Sequence, residues 1–323
     1  MADHDIVIRK YMEDKERFSD LMNGSLFDGK QVVKQENLEQ IKGESSIYLM
    51  DKNKKRKSVI RYRDVVMKTD YAIFAEENQM NVHYAMPVRN MLYDALSYVE
   101  QVEQIRKAHK RNGERLSDDE FLSGMKKEDA IYPVITVVIY YGEKEWDASL
   151  DLYGMMEIGR KGMITEELKE VLPNYKINLI HAGNIESPEK YKSSLQLVFG
   201  MLKYKSDETG LKMYLEKHKK ELSDIDQETY DVMGILLHME KELNGYRQKK
   251  GEKRDMCEAI KAMIEKGKME GKNEGQIIGR IETTIEMCQE FQVSKEDTWY
   301  RIMKEFSLEE EEAKKYMEEY WNQ

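Results

Sequence analysis

The spacing of hydrophobic and polar positions changes several times along this chain, and each change predicts an element. Ile6, Ile8, Tyr11, Phe18, Leu21, Met22 and Leu26 recur at helical spacing and predict one helix over residues 6–27, stopped at Asp28-Gly29. A short strand is expected over 46–50. From Ser58 the period falls to two. In SVIRYRDVVM (58–67), Ile60, Tyr62, Asp64 and Val66 point one way and Val59, Arg61, Arg63 and Val65 the other. YAIFAEENQ (71–79) alternates in the same manner, with Tyr71, Ile73, Ala75, Glu77 and Gln79 on one face. Residues 83–110 return to helical spacing through Met86, Leu92, Tyr93, Leu96 and Tyr98. Pro87 fits the first turn, where its missing N–H costs nothing. PVITVVIYY (133–141) is an almost unbroken β-branched run, the pattern of a strand covered on both faces, and Gly142 ends it. A helix over 164–172, a strand over 176–181 and helical signals from about 190 complete the order.

This order predicts an α/β core followed by a helical C-terminal extension. The expected divisions are 1–205 for the core, 206–265 for a helical region and 266–323 for a glycine-periodic helical tail. Only 4 prolines interrupt the chain, which leaves long helices unbroken. Charged residues make up 35% and hydrophobic residues 40%, so a packed core coexists with much solvated helix. The net charge of -10 argues against a surface coated for non-specific DNA wrapping, though not against a local basic groove. The 2 cysteines, Cys257 and Cys288, are far apart and belong to no ligand cluster, so neither a disulfide framework nor a zinc quartet is expected. MADHDIVIRK lacks a signal-peptide pattern, and no stretch reaches the roughly 18 consecutive apolar residues of a membrane span. The expectation is a cytoplasmic protein in a reducing compartment, without a membrane partner.

Asp64 and Glu77 stand on the apolar sides of their strands, where a carboxylate is costly unless paired or bound to a cation. A hairpin loop centred on Asp70 and Tyr71 would set Asp64 directly opposite Glu77, and Tyr62 opposite Gln79. Directly opposed side chains are about 4.5–5.5 Å apart at Cβ, so the two carboxylates would repel unless a hard cation lay between them. Magnesium binds carboxylate oxygen and keeps several waters, which suits phosphodiester hydrolysis. Gln79 could orient water or a phosphate oxygen through its amide. The same residues also fit a plainer reading, in which Asp64 pairs with Arg61, Arg63 or Arg89 and Glu77 is solvated at a strand end.

The stretch RDVVMKTDYAIFAEENQMNVHYAMPVRNMLYDALSYVEQ carries Asp64, then Glu77-Asn78-Gln79, then Met86-Pro87-Val88-Arg89 and Tyr93. PVITVVIYYGEKEWD adds Tyr140, Gly142 and Trp146, and YKINLIHAGNI follows. In this order the motifs resemble the Rpn family of recombination-promoting nucleases and transposases, within the PD-(D/E)XK superfamily, over roughly residues 10–200. The resemblance implies a restriction-endonuclease-like core and a hydrolase that cuts DNA with Mg2+ or Mn2+. Asp64 and Glu77 would be the metal ligands and Gln79 the third catalytic position, where most of the superfamily has Lys. An amide supplies no positive charge there. The superfamily often adds an acid from the first helix, and Glu16 and Asp20 are the candidates, one turn apart. Arg89 and Tyr93, four apart on one helix face, would contact the nucleic acid, or Arg89 would pair with a sheet carboxylate. His83 precedes the same helix and could approach the site, although a lone His is more often structural.

A basic run of Lys52, Lys54, Lys55, Arg56 and Lys57 precedes the Asp64 strand, and Arg61 and Arg63 extend it. A second cluster, Arg106, Lys107, Lys110 and Arg111, closes the long helix. Either could follow a phosphate backbone, and Lys55, Arg56 and Arg63 are the expected contacts; each also fits a solubilising hairpin tip or helix end. In the tail, Gly267, Gly271, Gly275 and Gly279 form one helical stripe, at about 1 kcal/mol each relative to Ala. They suggest close approach of another helix, such as a second copy in a homo-oligomer, or a frayed helix. Residues 282–322 read as two amphipathic helices.

Overall fold

A computed structural model of the protein describes residues 2–50, 56–244 and 254–321. The chain forms two compact units, Met1–Asp255 and Met256–Gln323.

The first unit opens with α1 (Ala2–Met12) and α2 (Lys15–Leu26). The single helix expected over 6–27 is therefore two. Asp14 breaks it: its backbone is extended and its carboxylate accepts the N–H of Arg17 at 3.0 Å, which starts a new helix. Strands β1 (Glu39–Gln40), β2 (Glu44–Met50), β3 (Arg56–Tyr62), β4 (Val65–Lys68) and β5 (Ile73–Gln79) follow. The expected strand 58–67 is also split. Its first part turns away to pair with β2 in a separate hairpin, with Glu44 opposite Tyr62. Tyr62 therefore does not face Gln79. The chain crosses itself where the N–H of Arg63 donates to Gly43 at 2.9 Å. A Cβ on Gly43 would stand 2.6 Å from the Arg63 carbonyl oxygen, so this close crossing requires glycine.

Next come α3 (Met86–Arg111), α4 (Asp118–Ser123) and β6 (Val134–Tyr140). Three short helices, α5 (Leu152–Met155), α6 (Glu157–Arg160) and α7 (Glu166–Val171), lead to β7 (Asn178–His181). Helices α8 (Leu195–Tyr204), α9 (Glu208–Lys217), α10 (Lys219–Leu222), α11 (Gln227–Leu236) and α12 (Glu240–Asn244) complete the unit.

The main sheet has the order β1-β4-β5-β6-β7. The first three strands are antiparallel neighbours; β5, β6 and β7 run parallel, with α3 in the crossover from β5 to β6. The class is α/β with a mixed sheet. Strand β6 lies between two parallel neighbours and is buried over most of its length, as its unbroken apolar run requires. One face of the sheet presents Ala75, Glu77, Thr136 and Val138 to α3, where Met86 packs on Val138. The other face presents Phe74, Glu76 and Val137 to a helical layer. There α1 contacts β5, and α8 packs on α2 and α11.

The second unit consists of α13 (Met256–Glu290), α14 (Lys295–Phe306) and α15 (Glu310–Tyr320). Ile281, Ile285, Ile302, Ala313 and Met317 form its core, with Trp299, Phe306 and Trp321 packed against it. The glycine stripe lies within one unbroken helix, and a Cβ on Gly271, Gly275 or Gly279 would meet nothing within 4 Å. Among the described residues, nothing calls for a small residue at these three positions.

Candidate functional site

The site assembles where the β4–β5 hairpin meets the N-terminal half of α3. Thr69 and Ala72 close the turn, with the Thr69 N–H donating to the Ala72 carbonyl at 2.8 Å, so Asp70 and Tyr71 are its centre. The ladder pairs Val65 with Glu76 and Val66 with Ala75. One step further in this register, Asp64 stands opposite Glu77, the relationship the sequence predicts.

Asp64 lies just beyond the end of β4 and is partly exposed. Its Oδ2 accepts the backbone N–H of Asn78 at 2.7 Å. Burial nevertheless pushes its carboxyl above the usual range, against the pull of that hydrogen bond and of Arg89. Glu77 is fully buried in β5, and its pKa rises from the ordinary 4.5 to about 8. Burial is the main cause, and the neighbouring charge of Asp64 adds to it. Arg89 Nη2 donates to Glu77 Oε2 at a long 3.4 Å, and Glu77 Oε1 has no hydrogen-bond partner. A buried carboxylate oxygen left open in this way is costly.

Glu76, the next residue, belongs to the opposite face. It is 0% exposed, and neither of its oxygens makes a well-formed hydrogen bond, although the Asn78 side chain lies near enough to oppose the rise in its pKa. Burial raises its pKa well above the carboxylate range, with further pressure from Asp64 and Glu77. Sequence reading passed over Glu76. The signal available was two consecutive glutamates in an otherwise apolar strand, which must load one carboxyl onto each face.

Gln79 is half-buried at the end of β5, on the same face as Glu77 and paired in the ladder with Tyr140. Tyr140 packs edge-on against Trp146 at 5.1 Å between ring centroids. A Cβ on Gly142 would lie 2.2 Å from the Tyr140 hydroxyl, so the Tyr-x-Gly motif is a packing requirement. His83 sits in the turn before α3, its carbonyl accepting the Met86 N–H at 3.0 Å and its buried Nδ1 without a partner.

Several expected contact residues lie elsewhere or are already engaged. Arg63 is 5% exposed: its guanidinium donates to Asp94 Oδ1 at 2.5 Å and to Thr136 at 3.0 Å. A phosphate would have to displace both partners, so Arg63 belongs to a buried network, not a nucleic-acid surface. Asp94 also accepts from Thr136 at 2.6 Å and from the Tyr175 hydroxyl. The Tyr93 ring is 7% exposed and lies beneath two guanidinium groups, 5.6 Å from Arg63 and 5.4 Å from Arg89. Its hydroxyl accepts from Arg89 Nε at 3.2 Å, so Tyr93 positions Arg89 and has no free face for a base. Arg89, with its side chain 32% exposed, is the cation of the site that still reaches solvent.

Asp20 is spent as well: its carboxylate accepts the backbone N–H groups of Lys192 and Ser193 at 2.7–2.9 Å and the Ser193 hydroxyl. Glu16 is exposed. The first-helix charges that act on Asp64 are instead Asp5 and Arg9. Lys55 lies outside the described residues, and so does the side chain of Arg56, although the backbone of Arg56 opens β3. Lys107, Lys110 and Arg111 line a cleft near the end of α3. At 1.5 Å per residue, they stand about 30 Å along the helix from Arg89.

Among the described residues, no group of three or more His, Cys, Asp or Glu side chains is arranged to hold a metal. The donor set is the Asp64–Glu77 pair, with one open oxygen on Glu77. No described helix is long and apolar enough to cross a membrane.

The fold and this cluster define an α/β protein with an acidic pair at the end of a hairpin in its sheet. A family model described as "Putative transposase, YhgA-like" matches residues 2–233, and the chain belongs to that family. No curated protein and no solved structure matches it.

Proposed function

We propose that this protein is a divalent-cation-dependent endonuclease with a PD-(D/E)XK core, and that its substrate is DNA. One observation carries the reading. Asp64 lies one step beyond the ladder pair Val65–Glu76, where continued register brings it to Glu77 and its charge acts on Glu77, and the fully buried Glu77 keeps an oxygen with no partner. A buried carboxyl with one oxygen left open costs the fold stability. It becomes useful when a cation replaces its proton.

The residues fit such an ion. Two carboxylates from adjacent strands match magnesium, which takes one or two protein carboxylates and keeps several waters, whereas the His and Cys ligands favoured by zinc are absent from the pair. Bound there, the ion would supply Lewis-acid stabilisation of a phosphate and a more acidic water. The chain's own groups do the rest. Asn78 N–H fixes the Asp64 carboxylate, and Tyr93 holds the Arg89 guanidinium over Glu77. Arg89 is free to turn from its long contact with Glu77 to a phosphate oxygen. Gln79, on the Glu77 face, can orient water by its amide but cannot act as a charge. Hydrolysis is the reaction these groups suit; strand transfer needs further machinery. The family's transposase description and the basic run Lys52, Lys54, Lys55, Arg56 and Lys57 in the sequence support DNA as the substrate.

The uncharged Gln79 favours a second reading, a DNA-binding module with weak catalysis. Supercoiled plasmid with magnesium separates them. The endonuclease reading expects nicking or linearisation by the wild type and its loss in Asp64→Ala. Salt-sensitive DNA binding without any cleavage supports the second reading instead.

A further inference from the structure

Helix α3 buries one face against the sheet through Met86, Asn90, Tyr93, Asp94 and Gln101. Its outer face carries a second apolar pattern that this packing does not use. Ala85, Val88, Leu92, Ala95, Val99 and Val102 follow one another at steps of 3, 4, 3, 4 and 3, the spacing of coiled-coil seam positions. A helix that only covers a sheet needs a polar outer face. Here Val88 is 43% exposed, Leu92 36% and Val99 52%, while both alanines are exposed.

From this pattern we infer that α3 is the seam of a homodimer, packed antiparallel against α3 of a second copy. The occupant follows from the symmetry of the pattern. A two-fold axis between Leu92 and Ala95 sets Leu92 against the partner's Ala95, Val88 against the partner's Val99 and Ala85 against the partner's Val102. Each alanine then faces a larger residue, so large and small side chains alternate across the seam, and every contact occurs twice, as an isologous interface requires. Antiparallel packing also opposes the two helix dipoles.

The ends of the seam extend it. The next seam position is Arg106, whose Nη2 donates to the Ser123 carbonyl at 3.2 Å and so carries α4. That short helix holds out Phe121 at 79% exposure and Leu122 at 85%. At the other end Tyr84 is 67% exposed, tethered through its hydroxyl to Asp147 at 3.2 Å. In the antiparallel arrangement each α4 meets the Tyr84 end of the other copy. This enlarges an 18-residue seam toward the ~800 Å² per partner that stable dimers bury, and it accounts for an exposed apolar patch that a monomer would avoid. The seam residues all belong to the first unit, and the inference does not depend on the reaction proposed above.

The test uses the full chain. Sedimentation equilibrium should give a dimer at micromolar concentration, with at least a ten-fold larger dissociation constant for Leu92→Glu at unchanged helical circular dichroism. Cross-linking fixes the register without destabilising the fold. Val88→Cys mixed with Val99→Cys should form a mixed disulfide on oxidation, and neither variant alone should. Native Cys257 and Cys288 are buried and contribute little background. A monomeric wild type overturns the inference. So does a dimer that Leu92→Glu leaves intact, or a disulfide pattern in which Val88→Cys couples to itself as readily as to Val99→Cys.

Discussion

Asp64 and Glu77 lie one step beyond the last pair of the β4–β5 ladder, one partly exposed and anchored by Asn78 N–H, the other fully buried with Oε1 open. The asymmetry has a consequence for pH. Glu77 titrates near 8 in the fold and near 4.5 when unfolded, so the folded state binds more protons between those values. Its contribution to stability is whole below about pH 4.5 and is lost as pH rises through about 8.

Glu77→Gln removes that titration and keeps a partner for Arg89 only in part. The cation-free variant should be more stable than wild type at pH 8 and no more stable at pH 5. The difference between the two pH values should be roughly 3–5 kcal/mol at about 1.4 kcal/mol per pKa unit. Thermal unfolding at both values checks this; parallel curves would mean that Glu77 is ionised throughout.

Magnesium should act in the opposite sense. Because the cation must displace the Glu77 proton, its stabilising effect should be larger at pH 8 than at pH 6 and should disappear in Glu77→Gln. Melting temperatures at several magnesium concentrations provide the measurement.

Glu76 gives a prediction about stability alone. A fully buried carboxyl with no well-formed hydrogen bond, and only the Asn78 side chain nearby, carries an unmet desolvation cost of about 1–3 kcal/mol. Glu76→Met, close in shape and apolar, should raise the melting temperature at neutral pH by at least ~2 °C. A drop would mean that the carboxyl has a partner in solution.

The hairpin was legible from two alternating runs in sequence, and a loop centred on Asp70 and Tyr71 gave its register; Thr69 and Ala72 close that turn. β6 was legible because an unbroken β-branched run has few other homes. The breaks were not legible. Periodicity runs through Asp14 without a gap, and only its capping geometry separates α1 from α2. The departure of β3 depends on β2, and on Gly43 meeting Arg63, a contact no local pattern encodes. Arg63 looked like part of a basic surface because Lys55 and Arg56 precede it; its actual partner, Asp94, is 31 residues away on α3.

Arg63→Ala should therefore act on folding. It leaves Asp94 buried among Thr136 and Tyr175 without its cation, at a cost of about 3–5 kcal/mol. Urea denaturation checks this. Weakened DNA binding at unchanged stability would contradict the buried role.

The most direct test of the shared cation is a calorimetric titration of Mg2+ or Mn2+ into wild type, Asp64→Ala and Glu77→Gln at pH 8. One binding event in the wild type, absent from both variants while their folds persist, is the expected result. Undiminished binding in either variant would show that the two carboxylates do not hold an ion between them.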